Sequence, residues 1–337
     1  MEGSLNSLAL LVNYIFVPGF AYGSQLALGA LGVTMIYAVL NFSNFSHGEI
    51  MSFGAMITIL VTYWFQGLGI SVHPLPTALI ALPVGIGGAI LLCLLLDRLV
   101  FSFYRKQRAN SVTYLIVSIG VMFVIGGITR FIIGPDDRNF NDGERFVLKA
   151  RTFKEMTGLS EGVAIKSSQA ITVASAFIVV AAVFWFLSRT RTGKSMRAYS
   201  NNPDLALLSG IDPNRVVFIA WVITAGLAAI AGTLYGLDKS YKPLVFLHLV
   251  LPIFAAAIVG GVGSPLGAIV GGFVIAFSEL IITFAYKKVA AYLLGDGVLG
   301  DGLLQFLSTD YKFAVSFIIL VIVLLIKPTG IFSGKSI

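Results

Sequence analysis

The sequence predicts an all-α, polytopic transmembrane bundle of about 8–10 membrane segments. Three observations predict it. Of 337 residues, 57% are hydrophobic and only 12% charged, against roughly 25% charged in soluble domains, and the mean hydropathy is +0.91. A chain of this composition cannot solvate its own surface. Its apolar runs are also continuous, as in "FAVSFIILVIVLLI" over 313–326, whereas a membrane β-barrel needs short strands alternating with polar lumen positions. Finally, the length suits repeated crossings of roughly 20 residues each and leaves little for a soluble domain. One membrane domain over 1–337 is expected.

In chain order, spans fall at about 9–22, 24–41, 48–66, 75–100, 112–134, 169–188, 216–237, 245–263, 264–286 and 312–327. The first is short and contains Pro18 and Gly19, which reads as a tilted or partial crossing. Charge sets the sidedness. The connection 102–111 carries Arg105, Lys106 and Arg108 without an acid, and 189–215 carries Arg189, Arg191, Lys194, Arg197 and Arg215 against Asp204 and Asp212. Excess Lys and Arg in short loops marks the cytoplasmic side. The tail with Lys327 and Lys335 then also falls inside, giving a cytoplasmic C-terminus. The segment 135–168, with balanced acids and bases, falls outside. Lys239, Lys242, Lys287 and Lys288 run against the pattern, and nothing basic orients the N-terminus.

Lipid tails provide no hydrophobic push between helices, so tight packing relies on small residues. "GSPLGAIVGG" spaces Gly263, Gly267 and Gly271 by four, and "TAGLAAIAGTLYG" does the same for Ala228, Gly232 and Gly236. These positions are expected to line helix–helix contacts.

The loop 189–216 contains signals for a short helix. Asn202 suits the N-cap, Pro203 the first helical position, and Asp204 the first turn, where its charge favours the helix dipole. Leu205, Ala206, Leu207 and Leu208 follow. Gly210 suits the left-handed position that ends a helix, and Asp212 and Pro213 stand just beyond. A helix this short is unstable alone in water and needs a partner surface. That surface is either its own bundle and the lipid interface, or another protein.

Other motifs bear on what the chain excludes. Cys93 is the single cysteine, which rules out internal disulfides and Cys-rich metal sites. The net charge of +7 forms no basic stripe with interleaved aromatics, so nucleic acid is not an expected partner. The first basic residue is Arg98, so a secretory leader, which needs a basic start, is not expected. "TGKS" over 192–195 lacks the P-loop glycine, because position 188 is Ser. Asn41 and Asn44 match glycosylation patterns but sit between apolar spans. His47, His73 and His248 are too scattered for metal-ligand spacing. Asn44, His47 and Glu49 form a polar cluster with two readings: a helix-capping turn, or part of a translocation pathway or gate. Glu279 lies deep in an apolar run. An intramembrane acid is expected to face the interior and find a partner, as a pathway residue or a structural bond.

A resemblance now adds to these readings. "DLALLSG" over 204–210 resembles the EAA-type loop of ABC importer permeases: Asp204 stands for the acid, Ala206 for the second alanine and Gly210 for the glycine, while Leu205 departs from the first alanine. The runs "LALGALGVTMIYAVLNFSNFSHGEIMSFGA" (26–55), "GKSMRAYSNNPDLALLSGIDPNRV" (193–216), "GGVGSPLGAIVGG" (260–272) and "YKFAVSFIILVIVLLIKPTGI" (311–331) resemble, in order, the branched-chain amino-acid ABC permeases of the LivH type. The resemblance implies an inner-membrane transport subunit with no catalytic site and no cofactor of its own. ATP and Mg would sit on two cytoplasmic ATPase subunits, docked through 202–210. The other implied partners are a second homologous permease, a periplasmic substrate-binding protein and the bilayer. "PDDRNFNDGERF" within 135–168 is then either a docking surface for the binding protein or a solvated loop. A urea or short-amide permease of the same family is the alternative reading of the substrate. An ion-coupled secondary transporter and a membrane-embedded enzyme are the readings from other classes; neither needs the short capped helix.

Overall fold

The computed structural model describes residues 2–140, 142–294, 304–327 and 329–332; Asn141 of the 135–168 segment and Lys335 of the tail lie outside the described residues. The long helices are α1 (Glu2–Leu40), α2 (His47–Gly67), α3 (Ala78–Lys106) and α4 (Ser111–Ile133). A short antiparallel ribbon, β1 (Phe146–Leu148) and β2 (Ile165–Lys166), flanks α5 (Ala150–Thr157). Then come α6 (Ser167–Arg189), α7 (Arg191–Asn201), α8 (Pro203–Leu208), α9 (Pro213–Lys239), α10 (Val245–Gly260), α11 (Pro265–Thr283), α12 (Lys287–Leu294) and α13 (Thr309–Ile326). Among the described residues, 8 helices are long and apolar enough to cross a membrane, and α10 is a shorter apolar helix.

Helix α1 is the axis of the bundle. It packs against α6, α9, α10 and α11, and nearly every residue from Ala21 to Val39 is buried. A helix that is apolar all round belongs in a core. The first two expected spans are in fact this one helix of 39 residues, about 58 Å long. Pro18 does not break it: the proline falls in the first turn after a wide π turn over Val12–Phe16, a position where its missing N–H is tolerated. Gly19 and Gly23 are not hinges either. They make room for the Phe277 and Phe273 rings of α11, and Phe20 meets Phe277 edge-on at 5.3 Å.

The outer helices α3, α4, α6 and α13 turn large side chains such as Leu99, Phe131, Phe177 and Leu325 outward, as expected of faces solvated by lipid. Of the five glycines, three lie at helix–helix contacts and two do not. Gly267 lies on the Gly260 backbone, Gly271 on the Ala256 carbonyl and Gly232 on the Met51 backbone. Gly236 faces Phe140 and Tyr241 in a connecting segment. Gly263 packs no helix. It sits in the α10–α11 turn with φ +88°, because Ser264 caps α11 by accepting from Gly267 N at 3.1 Å.

The ends of the bundle are fixed by hydrogen bonds. Helix α10 has 16 residues, about 24 Å, shorter than the expected 245–263 span. Its last carbonyls are satisfied by the tail, through Ile331 N to Val259 O (2.8 Å) and Phe332 N to Gly260 O (3.0 Å). The tail and the α10–α11 turn therefore share one end. At the other end, the 135–168 segment is tied down: Asn6 and Asn13 of α1 accept from Glu161 N (3.1 Å) and Ala164 N (2.9 Å). Asp142 accepts from Thr77 N (2.9 Å). These bonds hold the segment against the bundle, while 135–139 and 143–145 stay exposed. They also place the start of α1 on the same side as 135–168. Two of the lysines that ran against the charge pattern are occupied here: Lys242 pairs with Asp137, and Lys239 lies over the Tyr22 ring at 5.6 Å.

Gly232→Leu would drive a side chain into the α2 backbone. Overpacking of this kind costs about 1–3 kcal/mol, so the variant is expected to melt at a lower temperature in detergent. Gly127→Leu, where an added Cβ meets nothing within 4 Å, is the control and keeps the parental melting temperature.

Candidate functional site

Three places concentrate the candidate residues. The first is the α7–α8 connection. Thr190 caps α7 by accepting from Gly193 N at 3.0 Å, so "TGKS" lies in a helical first turn, not in a phosphate-cradling loop. Met196 is buried and anchors α7. Asn202 caps α8 by accepting from Leu205 N at 3.0 Å. Gly210, at φ +79°, closes it with Gly210 N to Leu207 O and Ile211 N to Ala206 O, both 3.0 Å. Ala206 is the one buried side chain of α8, whereas Leu205, Leu207 and Leu208 are 59%, 49% and 85% exposed. Asp204 stands exposed in the first turn. Asp212, expected with the short helix, instead caps α9 by accepting from Asn214 N at 2.9 Å: the chain has already left α8 at Ser209. The regular helix α7 was not foreseen; its sequence is polar and its cap, Thr190, is followed by no apolar run.

The second place is the start of α2, which lies inside the bundle. Residues 41–46 leave the helical path after α1, and His47 returns against Gly32, about two turns before the end of α1. A Cβ at Gly32 would stand 2.7 Å from the His47 ring, so glycine is what lets the imidazole in. The irregular backbone is satisfied locally. Asn44 Oδ1 accepts from Ser46 N (3.2 Å) and Ser46 Oγ (2.7 Å), and Phe45 N donates to Ser118 Oγ (3.1 Å). The capping reading thus describes Asn44. It does not describe His47, whose two ring nitrogens are buried without a hydrogen-bond partner among the described residues, as is Asn44 Nδ2. Glu49 and Arg130 converge on Gly126: a Cβ there would lie 2.9 Å from the Glu49 carboxyl carbon and 3.0 Å from an Arg130 amino nitrogen. Nearby, Ser52 Oγ and Tyr241 Oη are 3.0 Å apart, and burial pushes the Tyr241 phenol up, keeping it neutral. Arg130 was not picked out from the sequence. The available signal was a lone cation at the end of an apolar run.

The third place surrounds Glu279, which is fully buried. It accepts from Ser316, and Lys312 Nζ stands 3.5 Å from its Oε2. The same ammonium lies 3.7 Å from the Tyr22 ring centroid. The acid therefore has the partner that burial demands, supplied by α13. Glu279 lies in a different cluster from Asn44, His47 and Glu49: α1 carries Tyr22 to one and Gly32 to the other. One more acid, half-buried within the bundle, was missed. Asp97 takes a two-pronged bond from Arg105 (2.8 and 3.1 Å) and one from Trp221 Nε1 (2.9 Å), joining α3 to α9. Its signal was an acid near the end of a long apolar run.

With this geometry in place, the chain can be set beside known proteins. The family model described as "branched-chain amino acid transport system / permease component" matches residues 15–324. The high-affinity branched-chain amino acid transport system permease protein LivH of Salmonella typhimurium is 28% identical over 93% of this chain and 92% of its own length. The corresponding protein BraD of Pseudomonas aeruginosa is 29% identical over 94% of each chain. A probable LivH of Methanocaldococcus jannaschii is 26% identical over 92% of this chain and 89% of its own.

Removing one member of a buried ion pair leaves the other unpaired, at a cost of about 3 kcal/mol. Glu279→Gln and Lys312→Met are each expected to lower the melting temperature in detergent, while the double variant regains most of the loss. Equal and additive losses would show that the two side chains do not depend on each other.

Proposed function

Because the chain belongs to the branched-chain amino acid transport permease family, we propose that it is the membrane-spanning subunit of an ATP-driven importer for branched-chain or related small amino acids. It works in a bacterial inner membrane, with its described tail on the cytoplasmic side. Two cytoplasmic ATPase subunits carry ATP and Mg, a second homologous permease completes the pore, and a periplasmic binding protein delivers the substrate. This chain holds no cofactor and catalyses no bond change; it converts movement of the ATPases into movement of helices.

The observation that carries this reading is α8. Its ends are capped, one alanine is buried, and three leucines face outward. A helix this short does not hold itself together in water. Its exposed leucines are supported by the basic loop around them and suit an apolar groove on a partner. Coupling is mechanical: ATP draws the ATPases together, α8 follows, and the bundle alternates between its two openings. The buried His47 and Asn44, with their unspent polar atoms, and Glu49 beside Arg130 serve as pathway or gate residues within that bundle, since irregular backbone at membrane depth is tolerated where it is enclosed by protein. Glu279 belongs to the outer part of the same gate through Lys312 and Tyr22.

The test is a pull-down of the tagged chain in mild detergent, followed by mass spectrometry and an ATPase assay. A Walker-motif ATPase and a second permease are expected with the parental chain. Leu208→Glu puts a charge into the docking contact and costs about 2 kcal/mol, about thirtyfold in capture. Gly210→Pro removes the left-handed closure. Both variants should insert and melt like the parent, yet lose ATPase capture and leucine uptake. Normal uptake in both would overturn the docking role of α8.

A further inference from the structure

At the end of the bundle covered by 135–168 lies a polar cavity of about 600 Å³, within the roughly 300–1,000 Å³ of small-molecule sites. Six charged side chains line it: Asp142, Glu144, Arg145, Lys166, Asp238 and Lys239. Three are cations and three are acids. Among the described residues, none of the six forms an ion pair with an opposite charge; the ion pairs present are Arg105–Asp97, Arg151–Glu155, Lys242–Asp137 and Lys312–Glu279. Charges of both signs, free of one another around one hollow, suit an occupant that carries both signs itself. Asp142 adds to this. One carboxylate oxygen accepts from Thr77 N, and the other, Oδ1, is buried without a hydrogen-bond partner.

The backbone polarises the cavity in the same sense. Residues 166–168 form the N-terminal end of α6, and 236–240 the C-terminal end of α9; both line the cavity. A helix carries roughly half a positive charge at its start and half a negative charge at its end. The α6 wall, with Lys166 and Arg145, favours a carboxylate, and the α9 wall, with Asp238, favours an ammonium. The two walls meet where Ser168 Oγ donates to Asp238 Oδ1 at 3.3 Å, so the two charges of an occupant would be held side by side, as they stand in an α-amino acid. Lys239 joins the α9 wall to the bundle, since its Nζ also lies over the Tyr22 ring beside Lys312 and Glu279.

We infer that this cavity is an outer binding site for a zwitterionic α-amino acid, occupied before the molecule passes between the helices. The inference rests on the transport reading above and deepens it. A neutral urea or amide would leave both walls uncompensated, so the site selects for the presence of both charges.

Tritiated leucine binding to the full chain, with whatever subunits copurify, in nanodiscs and without binding protein, is the direct test. Saturable binding is expected. Unlabelled valine should compete. N-acetylleucine, leucinamide and urea, which lack one or both charges, should not. Asp238→Asn and Lys166→Gln should each weaken binding about tenfold or more, while Glu155→Gln, on the exposed α5, should leave it unchanged. Equal competition by leucinamide and N-acetylleucine would overturn the inference. So would the absence of leucine binding, including the case where the two cavity variants instead weaken capture of the periplasmic protein. ATP-driven leucine uptake is measured in parallel. Uptake without such binding overturns the cavity site and leaves the transport reading standing; binding without uptake does the reverse.

Discussion

Inside a hydrocarbon layer, backbone that leaves a helix has no water to turn to, so the protein must supply every hydrogen bond it loses. The organisation of this chain follows from that constraint. Where α1 ends within the bundle, Asn44, Ser46 and Ser118 satisfy the irregular stretch before α2. Where α10 stops short, the tail adds its own N–H groups to the open carbonyls of Val259 and Gly260. Where the 135–168 segment covers the other end, the side-chain amides of Asn6 and Asn13 reach from α1 to its backbone. In each case a connecting segment is held against the helices of the bundle, and the central helix keeps its burial.

The same rule applies more severely to charge. Glu279 is tolerated because Lys312 and Ser316 come from α13. Asp97 is tolerated because Arg105 and Trp221 converge on it from α3 and α9. These contacts join peripheral helices to the core, which matters in a bundle where apolar contact between helices is hardly better than contact with lipid. His47 is the exception. It is buried with neither ring nitrogen spent, and such an expense in a membrane interior is usually functional.

Much of this was legible in the sequence because the signals are local. Asn202, Pro203, Asp204 and Gly210 specify α8 by start and stop chemistry, and the structure forms it over Pro203–Leu208. The helical class followed from unbroken apolar runs. What escaped was set by contacts distant in sequence. Pro18 looked like a boundary, and only the π turn before it and the Phe273 and Phe277 rings across from it explain why α1 continues. Gly263 shared the spacing of Gly267 and Gly271, yet the cap at Ser264 placed it in the turn. A partner for Glu279 and a cation near Glu49 could be expected to exist, but Lys312 and Arg130 lie on other helices, and no periodicity within one run points to them.

One element connects the three regions given functional roles. Helix α9 has 27 residues, about 40 Å. It begins directly after α8, with Asp212 capping it once Ser209 and Gly210 have closed the shorter helix. Midway, Thr224 donates to Gly32 O at 3.1 Å, beside His47, and Gly232 lies on the backbone of Met51 in α2. Its last residues line the outer cavity. In the transport reading, a displacement of α8 passes through the four-residue turn 209–212 to α9, which delivers it to the polar start of α2 and to the outer wall as one stiff rod. Shifting such a rod would change the cavity wall at one end as its other end is pulled, which is the geometric requirement for coupling an outer binding site to an inner drive.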